Sequence, residues 1–175
     1  MLRVMKIAED IERSAESIEL EAGTQTGLSA HAKLFKAMAI GSLSQNYEQV
    51  IVNTSNDNDA AFVSRIEGFQ AAIALLNEAS TLLNGTAPSD EFETSITQGN
   101  IDLQNTIQAM IARYQLFSGN YDAAITAASA VDQSSTSIFA YDAQNQNPMW
   151  ARIIQNDAPN FKPRDNFGLP DSFVF

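Results

Sequence analysis

Apolar and polar positions alternate most clearly between Gly99 and Gln133, GNIDLQNTIQAMIARYQLFSGNYDAAITAASAVDQ. Large apolar residues fall at 103, 107, 110, 114 and 117, the mixed three/four spacing of one helix face. Gly119 stands where a helix C-terminus needs a residue free to turn left-handed, and Asn120 is placed to cap a second helix. The second face reads Tyr121, Ala124, Ile125, Ala128 and Val131. Two amphipathic helices with a joint of about two residues are predicted, and so short a joint makes them antiparallel.

Upstream, apolar residues at 4, 7, 8, 11, 15, 18 and 22 predict a helix over 3–22, with Glu9, Asp10, Glu12, Glu16 and Glu19 mostly off its stripe. Gly23 is expected to close it, with Thr24–Gly27 as a loop and Ser29 capping a second helix to about Gln45. That helix has two apolar sides, Ala32/Phe35/Ala39/Leu43 and Leu34/Met38/Gly41, so burial between neighbours is expected. Gln45–Asp59 reads as a polar loop with a brief extended piece at Val50–Val52. Ser64 and Glu67 form an S-x-x-E capping box before a strongly periodic run that ends at Gly85. Residues 84–98 read as a polar connection with one helical turn.

After Gln133 the character changes. Ile138–Tyr141 is short, apolar and β-capable, and Asn147-Pro148 starts a short helix through Trp150, Ile153 and Ile154. Prolines at 159, 163 and 170 exclude a long helix from the tail. Its phenylalanines lack periodicity, which suggests a loop pinned to a larger body, and the Phe-Val-Phe ending suggests a chain cut from a longer protein.

The expected fold is all-α. Ala112, Gly119, Tyr121, Ala124 and Ile125 stand at the spacing of a tetratricopeptide (TPR) repeat, a spacing that an ordinary helical hairpin also satisfies. The reading is a TPR-like stack of hairpins, an alpha-alpha superhelix, over 1–133, with an irregular extension over 134–175. Its expected core holds Leu34, Phe35, Phe69, Ile73, Leu76, Ile107, Met110, Ile111, Tyr114, Ala124 and Ile125.

Composition narrows the functional classes. A net charge of −11 repels phosphate backbones, so neither nucleic acid nor an anionic lipid surface is expected as a partner. With no cysteine, disulfides and thiolate zinc sites are excluded. No apolar window is long enough to predict a transmembrane helix, and the N-terminus is amphipathic rather than signal-like.

Candidate chemistry is sparse. His31, the sole histidine, has no nucleophile elbow around it and reads as a surface or capping residue in the first turn of a helix. Asn56–Asp59 is rich in oxygen ligands but lacks EF-hand spacing, so a solvated loop is expected. Asp90 and Glu91 are a carboxylate pair in a polar run, where solvation is the default over glycosidase work. No catalytic residue, metal or cofactor is expected. Phe139, Tyr141 and Trp150 flank a stretch full of Asn and Gln. Aromatic faces and amides together suit the apolar C–H face and hydroxyl edges of a sugar. The favoured expectation for the same rings is that they lock the irregular segment onto the helices.

Three pieces in order, LSAHAKLFKAMAIGSL, SRIEGFQAAIALLNEASTLL and ARYQLFSGNYDAAITAASAVD, followed by SSTSIFAYDAQNQNPMW, resemble the helical repeats of SusD/RagB-like proteins. The resemblance covers roughly residues 28–170, and each motif is helix chemistry that gains force from the order. It implies a lipid-anchored outer-membrane protein that captures glycans or other nutrients for a SusC-like TonB-dependent transporter. Its helices would serve as scaffold and docking surface, without enzymatic activity. The chain departs from that pattern in lacking a lipidation Cys and leader and in being much shorter. No contact residue carries over. A TPR-type adaptor holding a partner peptide is the alternative.

Overall fold

The computed structural model describes residues 1–54, 60–144, 146 and 147. Its helices are α1 (Leu2–Ser17), α2 (Ala22–Asn46), α3 (Arg65–Gly85), the single turn α4 (Asp90–Phe92), α5 (Leu103–Phe117) and α6 (Tyr121–Ser129). The described residues are thus mostly helical, in keeping with an all-α class. One compact unit spans Met1–Ile138 and a second spans Phe139–Phe175.

In the first unit, α2 lies against α1, α3 and α5, and α6 packs on α5. Ala30, Leu34, Ala37 and Ile40 of α2 meet Phe69, Ala72, Ile73 and Leu76 of α3 and Ile107, Ile111 and Tyr114 of α5 in one core. This is the two-sided burial that the paired apolar stripes of α2 call for. Small residues set how closely the helices approach. A Cβ on Gly41 would overlap the Tyr114 ring. That ring is fully buried, and burial pushes its hydroxyl pKa up to about 12.

The Ser64–Glu67 capping box forms as expected. The Glu67 amide donates to Ser64 Oγ, and Glu67 Oε2 accepts from the Ser64 amide at 2.8 Å. The brief extended piece is β1 (Gln49–Ile51), paired antiparallel with β2 (Phe62–Ser64) in the register Val50↔Val63. This hairpin brings the chain from α2 to α3.

Several local expectations need correction. α1 stops at Ser17, and α2 starts at Ala22 rather than near Ser29. Glu21 supplies the cap, its carboxylate accepting from the Gly23 and Thr24 amides at 3.0 and 2.9 Å. Gly23 and Gly27, which read as stop and loop, lie inside the helix because other chain passes against them. A Cβ on Gly27 would come within 2.5 Å of the Phe92 ring, and one on Gly23 within 2.8 Å of the Ala87 carbonyl oxygen. Phe92 itself is a buried core residue in a stretch that reads as polar. The connection continues as a π-helical turn over Glu93–Thr97 and then two left-handed residues, Gln98 (φ 52°) and Gly99 (φ 68°).

The last hairpin forms with a joint over residues 118–120, Gly119 being left-handed at φ 79°. Asn120 precedes α6, but its side chain donates to Gln115 Oε1 at 2.9 Å instead of capping. Ala124 and Ala127 are the buried residues of α6, whereas Tyr121 and Ile125 are 64% and 66% exposed. The expected placing of Tyr121 and Ile125 in the packed seam is therefore wrong. Its cause is rotational: the small alanines face α5, and each helical residue is turned about 100° from the last.

Candidate functional site

Phe139 and Tyr141 lie in the second unit, in a passage of no regular secondary structure, and are 55% and 50% exposed. The polypeptide beside them turns where the Gln144 amide donates to Asp142 Oδ1 at 2.8 Å. An exposed ring next to a carboxylate-braced turn is physically fit to cover a sugar's C–H face. Trp150, the third expected contact, lies outside the described residues, as do Asn56–Asp59 and the expected helix after Pro148.

Asp90 and Glu91 are both exposed, in the first turn of α4, as solvated acids should be. His31 differs from expectation. Because α2 begins at Ala22, His31 sits well inside the helix rather than in its first turn, half-buried between Phe35 and Phe92 with ring centroids 4.7 and 6.0 Å away. Burial lowers its pKa from 6.5.

The acids of α1 were expected mostly off the packed stripe, yet Glu9 and Glu12 turn inward to lysines of α2. Lys36, only 7% exposed, pairs with Glu9 Oε1 at 3.1 Å and donates to Asn53 Oδ1 at 2.9 Å. Glu9 also accepts from the Thr54 amide at 3.0 Å and from the Thr54 hydroxyl. Burial would raise the Glu9 pKa, but the Thr54 bonds and then Lys36 outweigh it and hold the carboxyl below 4.5. Lys33 bridges Glu12 of α1 and Glu78 of α3 at 2.9 and 2.7 Å. Burial works against its charge, yet the bonds to Glu78 and Glu12 raise its pKa above 10.5. These groups fasten three helices and the segment after β1. A Lys three residues from a Lys, opposite acids three apart on α1, was the sequence signal for them.

Several hollows flank the helices. One of about 640 Å³ is mainly apolar, lined by Leu2, Leu43, Tyr47, Val50, Ile51 and Phe62 among others. Another, a cleft of about 280 Å³, lies among the end of α3, the 84–102 connection and the start of α5. Sequence reasoning missed it because its walls come from a run without periodicity. Among the described residues, no group of three His, Cys, Asp or Glu side chains is placed to hold a metal ion. No helix among them is long and apolar enough to cross a membrane. No family model, no curated protein and no solved structure matches the chain.

Proposed function

We propose that this chain is the helical, TPR-like scaffold part of a SusD/RagB-like, non-enzymatic nutrient-capture protein at the outer membrane, and that it docks against a SusC-like TonB-dependent transporter. In this reading Phe139, Tyr141 and Trp150 contribute to the glycan contact, and the protein is held at the membrane by a lipid. The observation that carries it is the way the helices stack. Neighbours in sequence pack in chain order along small-residue seams, and the last helix leaves Tyr121 and Ile125 uncovered. A stack of this kind offers long faces for other chains rather than a closed catalytic pocket. The ordered sequence resemblance gives those faces their partners.

The test is glycan binding by the intact protein, measured by calorimetry across a broad oligosaccharide panel, with co-purification of a TonB-dependent receptor from native membranes. Saturable binding that weakens in Tyr141→Ala, with the receptor retained, supports the proposal. No response to any glycan together with no receptor sinks it.

The apolar hollow beside β1 and β2 favours one second reading, an adaptor that takes the apolar side chains of a partner peptide. Retention of a short peptide in place of any glycan would decide for it.

A further inference from the structure

The cleft beside the π-helical turn combines three features that ordinary connections lack. The first is its lining. Phe92, Ile101 and Leu103 supply an apolar floor, while Asn84, Glu93 and Gln104 supply polar groups. Its volume of about 280 Å³ falls just below the range of drug-sized pockets, about 300 to 1,000 Å³, and so suits a smaller ligand. The second is the backbone. A π turn over Glu93–Thr97 followed by left-handed Gln98 and Gly99 is an irregularity of the sort that gathers at functional sites.

The third feature is an unpaired polar atom. Gln104 Nε2 donates to Ser80 Oγ at 3.2 Å, an oxygen that also accepts from Gln108 Nε2 at 3.3 Å. Gln104 Oε1 is buried and has no hydrogen-bond partner among the described residues. Reversing the carboxamide only exchanges which of its atoms is left over. A buried polar group without a partner is costly, and folded proteins rarely keep one. Gln104 is also one of the residues that line the cleft, so the orphaned atom belongs to a side chain of its wall.

We propose that this cleft binds a small, neutral, polyhydroxylated molecule of monosaccharide size. The charge pattern selects that class. Glu93 and the net charge of −11 oppose an anion. A cation would need both acids of the lining, but Asp102 is already engaged. Its oxygens accept from the Asn105 amide at 3.0 Å, from Asn105 Nδ2 at 2.7 Å and from the Ser135 hydroxyl at 2.7 Å. Glu93 alone remains, exposed to water, where one charge pair contributes little. A hydroxyl both donates and accepts, so one ring of hydroxyls serves a carboxylate and two carboxamides at once. Its C–H face meets the Phe92, Ile101 and Leu103 floor. For its ligand class this inference rests on the proposed function, but it adds a second site on the helical unit, whose lining does not include Phe139 or Tyr141.

Titration of the isotope-labelled intact chain with glucose, mannose and N-acetylglucosamine, followed by NMR, tests it. Saturable shifts of the Gln104 and Asn84 side-chain amides are expected with at least one sugar, with a Kd of about 1 mM for so few ligand atoms. Asn84→Ala, an exposed change that leaves the core intact, weakens binding about tenfold, and Gln104→Leu does the same. Shifts with methylammonium in place of the sugars, or none with any probe, overturn the inference. Oligosaccharide binding that persists while these two amides stay unmoved also overturns it and leaves the proposed function standing. Saturable amide shifts in a protein that holds no oligosaccharide through Tyr141 sustain the cleft and count against the aromatic segment.

Discussion

Gly41 and Gly85 both lie in helices, and they differ in what stands over them. The Tyr114 ring covers Gly41, whereas nothing lies within 4 Å of a Cβ built on Gly85. Gly41→Ala is expected to destabilise by about 1–3 kcal/mol through overpacking, and Gly85→Ala to be neutral or stabilising by up to about 1 kcal/mol. Urea unfolding of both variants checks the pair, and equal midpoints would remove the close-approach argument. Lys36 is a second residue with a large expected effect. Lys36→Met leaves the Glu9 carboxylate nearly buried without its cation, at a cost of about 3 kcal/mol, and Glu9→Leu added to it restores most of the loss. Glu9 also sets a pH dependence. Its folded pKa lies below the ordinary 4.5, so its contribution is fully present above that value and is lost as pH falls through the folded pKa. Wild type should therefore lose stability in mild acid more steeply than Glu9→Gln, which can be followed by thermal melts between about pH 6 and pH 3, a window bracketing carboxylate titration.

The elements differ in how far their own residues disclose them. α3 carries its start and its period within itself, so Ser64, Glu67 and the run to Leu83 were legible. Ser64→Ala is expected to cost about 1 kcal/mol in urea unfolding as the cap is lost. The start of α2 was not legible. Gly27 looks like a helix breaker beside its neighbours, and its reason for being glycine is a ring far along the chain. Phe92 was missed for the converse reason, being a single apolar residue in a polar run with no partner at helical spacing. In α6 the period was plain but the phase was not, since Ala124 and Ile125 both fit a packed face. The observed phase yields a contrast. Ala124→Arg places a charge in the α5–α6 seam and should unfold the hairpin, costing several kcal/mol. Ile125→Arg, on the open side, should stay within about 0.5 kcal/mol of wild type. Circular dichroism melts of the two read the phase directly.

At the scale of the molecule, the all-α class followed from periodicity, whereas the manner of stacking depended on glycine–ring contacts that no local pattern encodes. The same holds for function. Phe139 and Tyr141 stood out as aromatic rings beside amides, but their exposure did not follow from the sequence, and the cleft by the π turn lies between the end of α3 and the start of α5 along an aperiodic connection. Phe92 links that cleft to the helices, because its ring fills the room a side chain at Gly27 would need. Its other neighbour is His31, 6.0 Å away and edge-on. The chain has one histidine, so its imidazole gives a single Hε1 resonance that needs no further assignment, and it reports on the cleft only through the Phe92 ring. Filling the cleft from the front should displace that line and its titration midpoint, which makes the protein its own occupancy gauge.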